Sequence, residues 1–119
     1  MPTSQMSPLE VFARYLDRHA ANDLQAVVAL FSPDAIVEDP VGSPSIQGTE
    51  AIHAFFAETH RRNGPLEIET VGPPLVCGRE LAAHVRARLG SPGAHPKVDV
   101  IYLIRFDLEG RIESLRAFF

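Results

Sequence analysis

Apolar residues recur at three- and four-residue spacing through the first half of the chain and then give way to alternating or continuous apolar runs, which predicts helices followed by strands. Residues 1–6 read as a loose leader, after which Ser7-Pro8 provides an N-cap and a proline for the first helical position. Val11, Phe12, Tyr15 and Leu16 form one core-facing stripe of a helix that runs to about Ala21. Asn22-Asp23 breaks and recaps the chain, and Leu24, Val27, Val28, Leu30 and Phe31 predict a second, short helix ending before Ser32-Pro33. Residues 35–39 predict a strand stopped by Pro40, and residues 41–47 a loop rich in Gly, Ser and Pro. Gly48-Thr49-Glu50 opens a third helix that turns Ile52, Phe55 and Phe56 inward and Glu58, Arg61 and Arg62 outward, before Asn63-Gly64-Pro65 ends it.

Everything beyond reads as β. Residues 66–71, 81–89, 98–107 and 111–119 are strand-length runs parted by Gly and Pro clusters, and Asp107-Leu108-Glu109-Gly110 is a hairpin turn. The run from Val98 to Phe106 is apolar on both faces, with Val98, Val100, Tyr102, Ile104 and Phe106 on one and Ile101 and Leu103 on the other, which predicts a central strand covered on both sides. Helices first and consecutive strands afterwards imply a single α+β domain over residues 1–119, with three helices packed on one face of a curved, mostly antiparallel sheet that closes round an apolar pocket.

Composition narrows the function classes. At 119 residues and 13.0 kDa, with 45% hydrophobic and 22% charged residues, the chain holds one ordinary globular core. Eleven basic against fifteen acidic side chains leave a net charge of −4 without any Lys/Arg run, which argues against nucleic acid as a partner and against an anionic substrate. The longest apolar stretches, such as residues 26–31, fall far short of the ~20 residues a membrane span needs, and no basic-then-apolar leader is present, so the expectation is a soluble, cytoplasmic protein. A single cysteine, Cys77, rules out an internal disulfide and reads as a small buried hydrophobe. With no CxxC or HxH spacing, neither a metal nor another cofactor is predicted. His19, His53, His60, His84 and His95 lack an acidic partner at a recognisable spacing, and His60 and His95 read as solvent-exposed. No serine nucleophile elbow, phosphate-cradling glycine loop or dinucleotide fingerprint occurs.

Three polar residues remain as candidates for chemistry. Asp99 shares the face of Ile101 and Leu103; if that face is buried, the carboxyl must find a cation or take up a proton and become a hydrogen-bond donor. The alternative is a solvated strand end paired with Lys97 or an arginine. Tyr15 carries a polar tip on the first helix's apolar stripe, where it is either a core aromatic or a donor in need of a partner. Asp39 lies at a strand end before a proline, either as a turn former or as a carboxylate facing a pocket, with Glu38 pointing the opposite way.

Three segments together give the chain a family likeness. Ala13-Arg14-Tyr15, then Val37-Glu38-Asp39-Pro40 with Gly42, Pro44, Ile46 and Gly48, then Val98-Asp99-Val100-Ile101 running on to Arg105-Phe106-Asp107 and Gly110-Arg111-Ile112, resemble the bacterial steroid Δ5-3-ketosteroid isomerases. The likeness covers nearly the whole chain in order and is weakest around residues 64–96. It implies the NTF2-like, SnoaL-like cone, a homodimer, and a cofactor-independent reaction on a small apolar carbonyl substrate, a 3-oxo-Δ5-steroid. Carried over by position, it implies Asp39 as general base and Tyr15 and a protonated Asp99 as the two donors to a dienolate oxygen. Phe31, Phe55, Phe56, Leu115 and Phe119 would form the apolar wall of the substrate site, Leu115, Ala117 and Phe119 alternating along the last strand. Phe31 and Phe56 stand where supporting tyrosines are common in the family, and Phe119 where a tryptophan is common. The same superfamily hosts polyketide cyclases, dehydratases, epoxide hydrolases and non-catalytic binding modules, so fold alone does not choose the reaction.

Overall fold

The computed structural model describes residues 6–64, 66–89 and 97–119. Residues 1–5 of the expected leader, Pro65 and the segment containing His95 lie outside the described residues, while Met6, the leader's last residue, packs against the core. Helix α1 (Pro8–Ala20) starts at Ser7, whose Oγ accepts from the Glu10 N–H while the Glu10 carboxylate accepts from the Ser7 N–H, a reciprocal cap that satisfies two otherwise unpaired donors. Its inward stripe is Val11, Phe12, Tyr15 and His19. Asp23 caps α2 (Leu24–Val28), which is shorter than the apolar pattern predicts. Strand β1 (Phe31–Glu38) has already begun at Phe31, because the Ile112 N–H reaches the Leu30 carbonyl at 2.8 Å and pairs this stretch with the far end of the chain. Pro33 fits inside the strand because the pairing is broken between Phe31 and Ile36, where no ladder bond is missed.

The two-residue strand β2 (Ile46–Gln47) pairs with β1 inside what the sequence suggests is a loop. Helix α3 (Thr49–Asn63) follows, with Ile52, Phe56 and His60 buried at four-residue intervals. Strands β3 (Leu66–Thr70), β4 (Leu75–Cys77), β5 (Glu80–Leu89), β6 (Val98–Phe106) and β7 (Ile112–Phe118) complete the chain. The order across the sheet is β2-β1-β7-β6-β5-β3, with β4 also on β5; β1 and β7 run parallel and every other pair is antiparallel. The sheet is curved and stays open at its edges. At the β6–β7 hairpin, Asp107 Oδ1 accepts from the Glu109 and Arg111 N–H groups, and Gly110 takes the left-handed conformation the turn requires, at φ 85°.

All three helices lie on one face. The inward side chains of the sheet, among them Val37, Leu81, Val85, Ile104, Phe106, Ile112 and Leu115, form one core with the helical stripes, each large apolar side chain contributing ~1.5–3 kcal/mol by burial. The outer face has no such cover: Ile36 and Ile101 are 41% and 44% exposed. The central strand β6 is therefore buried on one side only, which corrects the expectation of cover on both. Cys77, on the short β4, is exposed rather than buried. No helix among the described residues is long and apolar enough to cross a membrane.

Candidate active site

Tyr15 points from α1 straight into the core and is 0% exposed. Its ring is surrounded by five others: Phe12 on its own helix, His19 one turn further at 4.5 Å between centroids, Phe31 from β1, Phe56 from α3 and Tyr102 from β6. The cage leaves the phenol little freedom, and among the described residues Tyr15 Oη has no well-formed hydrogen bond, the hydroxyl beside it being that of Tyr102. Burial first, and then the neighbouring Tyr102 and Asp39, push the Tyr15 hydroxyl well above its ordinary range, so it stays protonated.

Asp39 follows directly on β1, where the Val41 N–H donates to the Ala117 carbonyl at 2.8 Å and ties this corner to the end of β7. The two acidic neighbours part company here. Glu38 accepts from Arg116 Nε at 2.9 Å, whereas no hydrogen bond or ion pair joins Asp39 to a described residue. Burial without compensation pushes the Asp39 carboxyl up to about 6. Its charge acts on the phenols of both Tyr15 and Tyr102.

Asp99 is not part of this constellation. It lies on the outer face of β6 with its side chain 62% exposed, within 2.8 Å of His84 Nε2, and accepts from Arg86 Nε at 3.1 Å. Those two partners hold its carboxyl below the usual range, the opposite of the protonated donor that the resemblance implied. The reason is the one-sided cover of β6: with helices on one face only, the Ile101/Leu103 side looks outward, and the solvated, ion-paired alternative is the one realised. The inward position near Tyr15 is held by Tyr102, three residues on and so on the opposite face. Its phenol is also pushed above its ordinary range, by burial and then by Asp39.

The proposed apolar wall divides in the same way. Phe31, Phe56 and Leu115 are buried, and Phe55 packs partly buried against the core. Phe119 follows the end of β7 and is 64% exposed, so it lines nothing inside the sheet. Sequence reasoning also missed a buried pair, His19 and His60, whose Nδ1 and Nε2 atoms lie 3.0 Å apart beside Tyr15 and Phe56. The four-residue spacing of Ile52, Phe56 and His60 carries that signal, and His60 is not solvent-exposed.

Taken together, the site offers a half-desolvated carboxylate able to accept a proton and, within reach of its charge, phenols able to donate hydrogen bonds. A family model described as a SnoaL-like domain matches residues 12–115. A steroid Δ-isomerase of Nocardioides simplex is 36% identical over 110 residues, covering 89% of this chain and 84% of that protein. The epoxide hydrolase LasB of Streptomyces lasalocidi is 31% identical over 114 residues, covering 91% of this chain and 39% of that longer protein. Among solved structures, the epoxide hydrolase/cyclase-like enzyme SalBIII, described for its role in pyran ring formation in the polyether salinomycin, aligns with a TM-score of 0.80 and 25% identity over 93% of this chain and 88% of that one.

Proposed function

The chain belongs to the SnoaL-like domain family, and on that premise we propose that it is a cofactor-independent isomerase that moves the double bond of a 3-oxo-Δ5-steroid from Δ5 to Δ4. The observation that carries this reading is the half-buried carboxyl of Asp39, without a partner among the described residues, whose charge reaches the buried hydroxyl of Tyr15. A β,γ-unsaturated ketone has an acidic C–H between its carbonyl and its alkene. Asp39 takes that proton, the C–H electron pair moves into the carbonyl to give a dienolate, and Tyr15 donates a hydrogen bond to the oxygen as its charge develops. The same carboxylic acid then returns the proton to the γ carbon, and the electrons settle as a conjugated enone. No atom is gained or lost, so one group of intermediate basicity suffices, and a carboxyl pushed up to about 6 is suited to both halves of the transfer. Phe31, Phe56, Phe55 and Leu115 supply the apolar surroundings that a flat hydrocarbon skeleton needs.

The test is conjugated-enone absorbance on mixing the protein with 5-androstene-3,17-dione. Wild type is expected to produce it, and Asp39→Asn to lose at least ~10²-fold in rate. An inactive wild type, or an active Asp39→Asn, overturns the reading.

The likeness to LasB and SalBIII favours a second reading, in which Asp39 deprotonates a water or hydroxyl nucleophile and a phenol protonates the oxygen of an opening epoxide. Product analysis on an epoxide panel separates the two. In either case a homodimer would cover the exposed outer face that carries Ile36, Ile101 and Phe118, which light scattering at micromolar concentration tests directly.

A further inference from the structure

We propose that Tyr102 is the second catalytic donor of this site, so that the developing oxyanion is held between two phenols, Tyr15 and Tyr102, with no carboxylic acid involved. The assignment rests on the isomerase reading above and deepens it. Tyr102 sits at the middle of β6 on the inward face, 4% exposed. Its ring meets that of Tyr15 nearly at a right angle, 81°, with centroids 5.7 Å apart. The two phenols therefore come from different elements, one from α1 and one from the sheet, with their hydroxyls near enough to interact and to serve one acceptor together.

The neighbours of Tyr102 point the same way. Across the sheet it is paired with Ala83 on β5 and Ala117 on β7, both buried on the inner face. Two alanines flanking one tyrosine leave its ring room to rise from the sheet towards α1, where it meets the rings of Phe12 and Tyr15. Ala117 is also the residue whose carbonyl anchors the Asp39 corner through Val41, so the base and the second phenol are fixed through one and the same β7 residue. A core aromatic with no chemical duty could equally be phenylalanine, as Phe12, Phe31 and Phe56 are in the same cage. A hydroxyl placed among them carries a desolvation cost, and the polar group it meets there is the phenol of Tyr15, so the two hydroxyls stand together in one spot of the core.

Two phenols behave differently from a phenol and a carboxylic acid. Burial raises both hydroxyls further above neutrality, so both donors stay protonated well into alkaline solution. His19, packed on Tyr15, and its partner His60 are lowered by burial, which leaves Asp39 to set the response of the rate on the acid side of neutrality.

The experiment compares wild type, Tyr102→Phe, Tyr15→Phe and Asp39→Asn on 5-androstene-3,17-dione between pH 4.5 and 9, with thermal unfolding of each. Tyr102→Phe removes one oxygen from a buried ring; kcat is expected to fall ~10²–10³-fold, with KM changed only a few-fold and folding retained. Wild type is expected to give one acidic limb near 6 and a plateau to pH 9, and Tyr102→Phe to keep that profile at the lower rate. A Tyr102→Phe enzyme within about threefold of wild type, beside an inactive Asp39→Asn, would overturn the donor role and leave the isomerase standing. A descending limb between pH 7 and 9 would also count against it, because it would require a donor more acidic than a buried phenol. A wild type without isomerase activity takes both assignments down together.

Discussion

His19 Nδ1 and His60 Nε2 lie 3.0 Å apart, so an imidazole–imidazole hydrogen bond joins α1 to α3 within the core, directly beside Tyr15. Burial, and then the proximity of His60, pull His19 down to about 3; burial also lowers His60. Both rings are neutral near pH 7, while in the unfolded chain a histidine takes up its proton near 6.5. The folded state thus binds fewer protons than the unfolded one. The pair's contribution to stability is complete above about 6.5 and is lost as pH falls from there towards 3. At about 1.4 kcal/mol per pH unit for one group, His19 alone removes about 2 kcal/mol between pH 6.5 and 5. Urea midpoints should fall across that interval. A His19→Leu/His60→Leu double variant, which returns the site to hydrocarbon, should show a flatter acid limb; an unchanged slope would place the acid lability elsewhere.

The activity profile is expected to report Asp39. A base raised to about 6 by burial is active only when ionised, so kcat/KM should fall about tenfold per unit below pH 6 and level off above it. Initial rates from pH 4.5 to 8 measure this. A limb near 4, where an ordinary aspartate titrates, would mean that the base is solvated in the working enzyme.

Local chemistry made much of this fold legible in the sequence. The Ser7 cap, the glycine ending α3 and the Asp107–Gly110 hairpin each depend on residues a few positions apart, and each is where its pattern puts it. The start of β1 at Phe31 was not legible, because it depends on Ile112, 81 residues away, and overrides a helical apolar pattern. The face of β6 was not legible either. Both of its faces are apolar, so alternation separates Asp99 from Tyr102 without saying which looks inward; that is decided by helices packing on one side of the sheet alone. His60 was misread for a related reason, since its partner lies on another helix.

Asp99 offers a sharp contrast with Asp39. It sits on the open face, paired with His84 and Arg86, and such surface pairs contribute little. Asp99→Asn is expected to keep isomerase activity within about twofold of wild type, as is Phe119→Ala, since both side chains lie in solvent away from Tyr15. A loss of ~10²-fold in Asp99→Asn, the size expected for a missing oxyanion donor, would return Asp99 to the site and displace Tyr102.

The carboxyl that serves as base is also a strain on the fold. Asp39 titrates near 3.8 when solvated and at about 6 in place, so the folded state binds its proton more tightly than the unfolded one. Its contribution therefore favours folding at low pH and is lost as pH rises from 3.8 through 6. At pH 7 the half-buried charge, unpaired among the described residues, costs the native state about 3 kcal/mol, two pH units at roughly 1.4 kcal/mol each. Asp39→Asn removes the charge and keeps the shape, so the variant should be inactive yet more stable than wild type in urea at pH 7. Below pH 4, where the native carboxyl is neutral as well, the two curves should converge. Equal midpoints at pH 7 would mean that water or a counter-charge already solvates Asp39, and the argument for a raised, reactive base would fail with it.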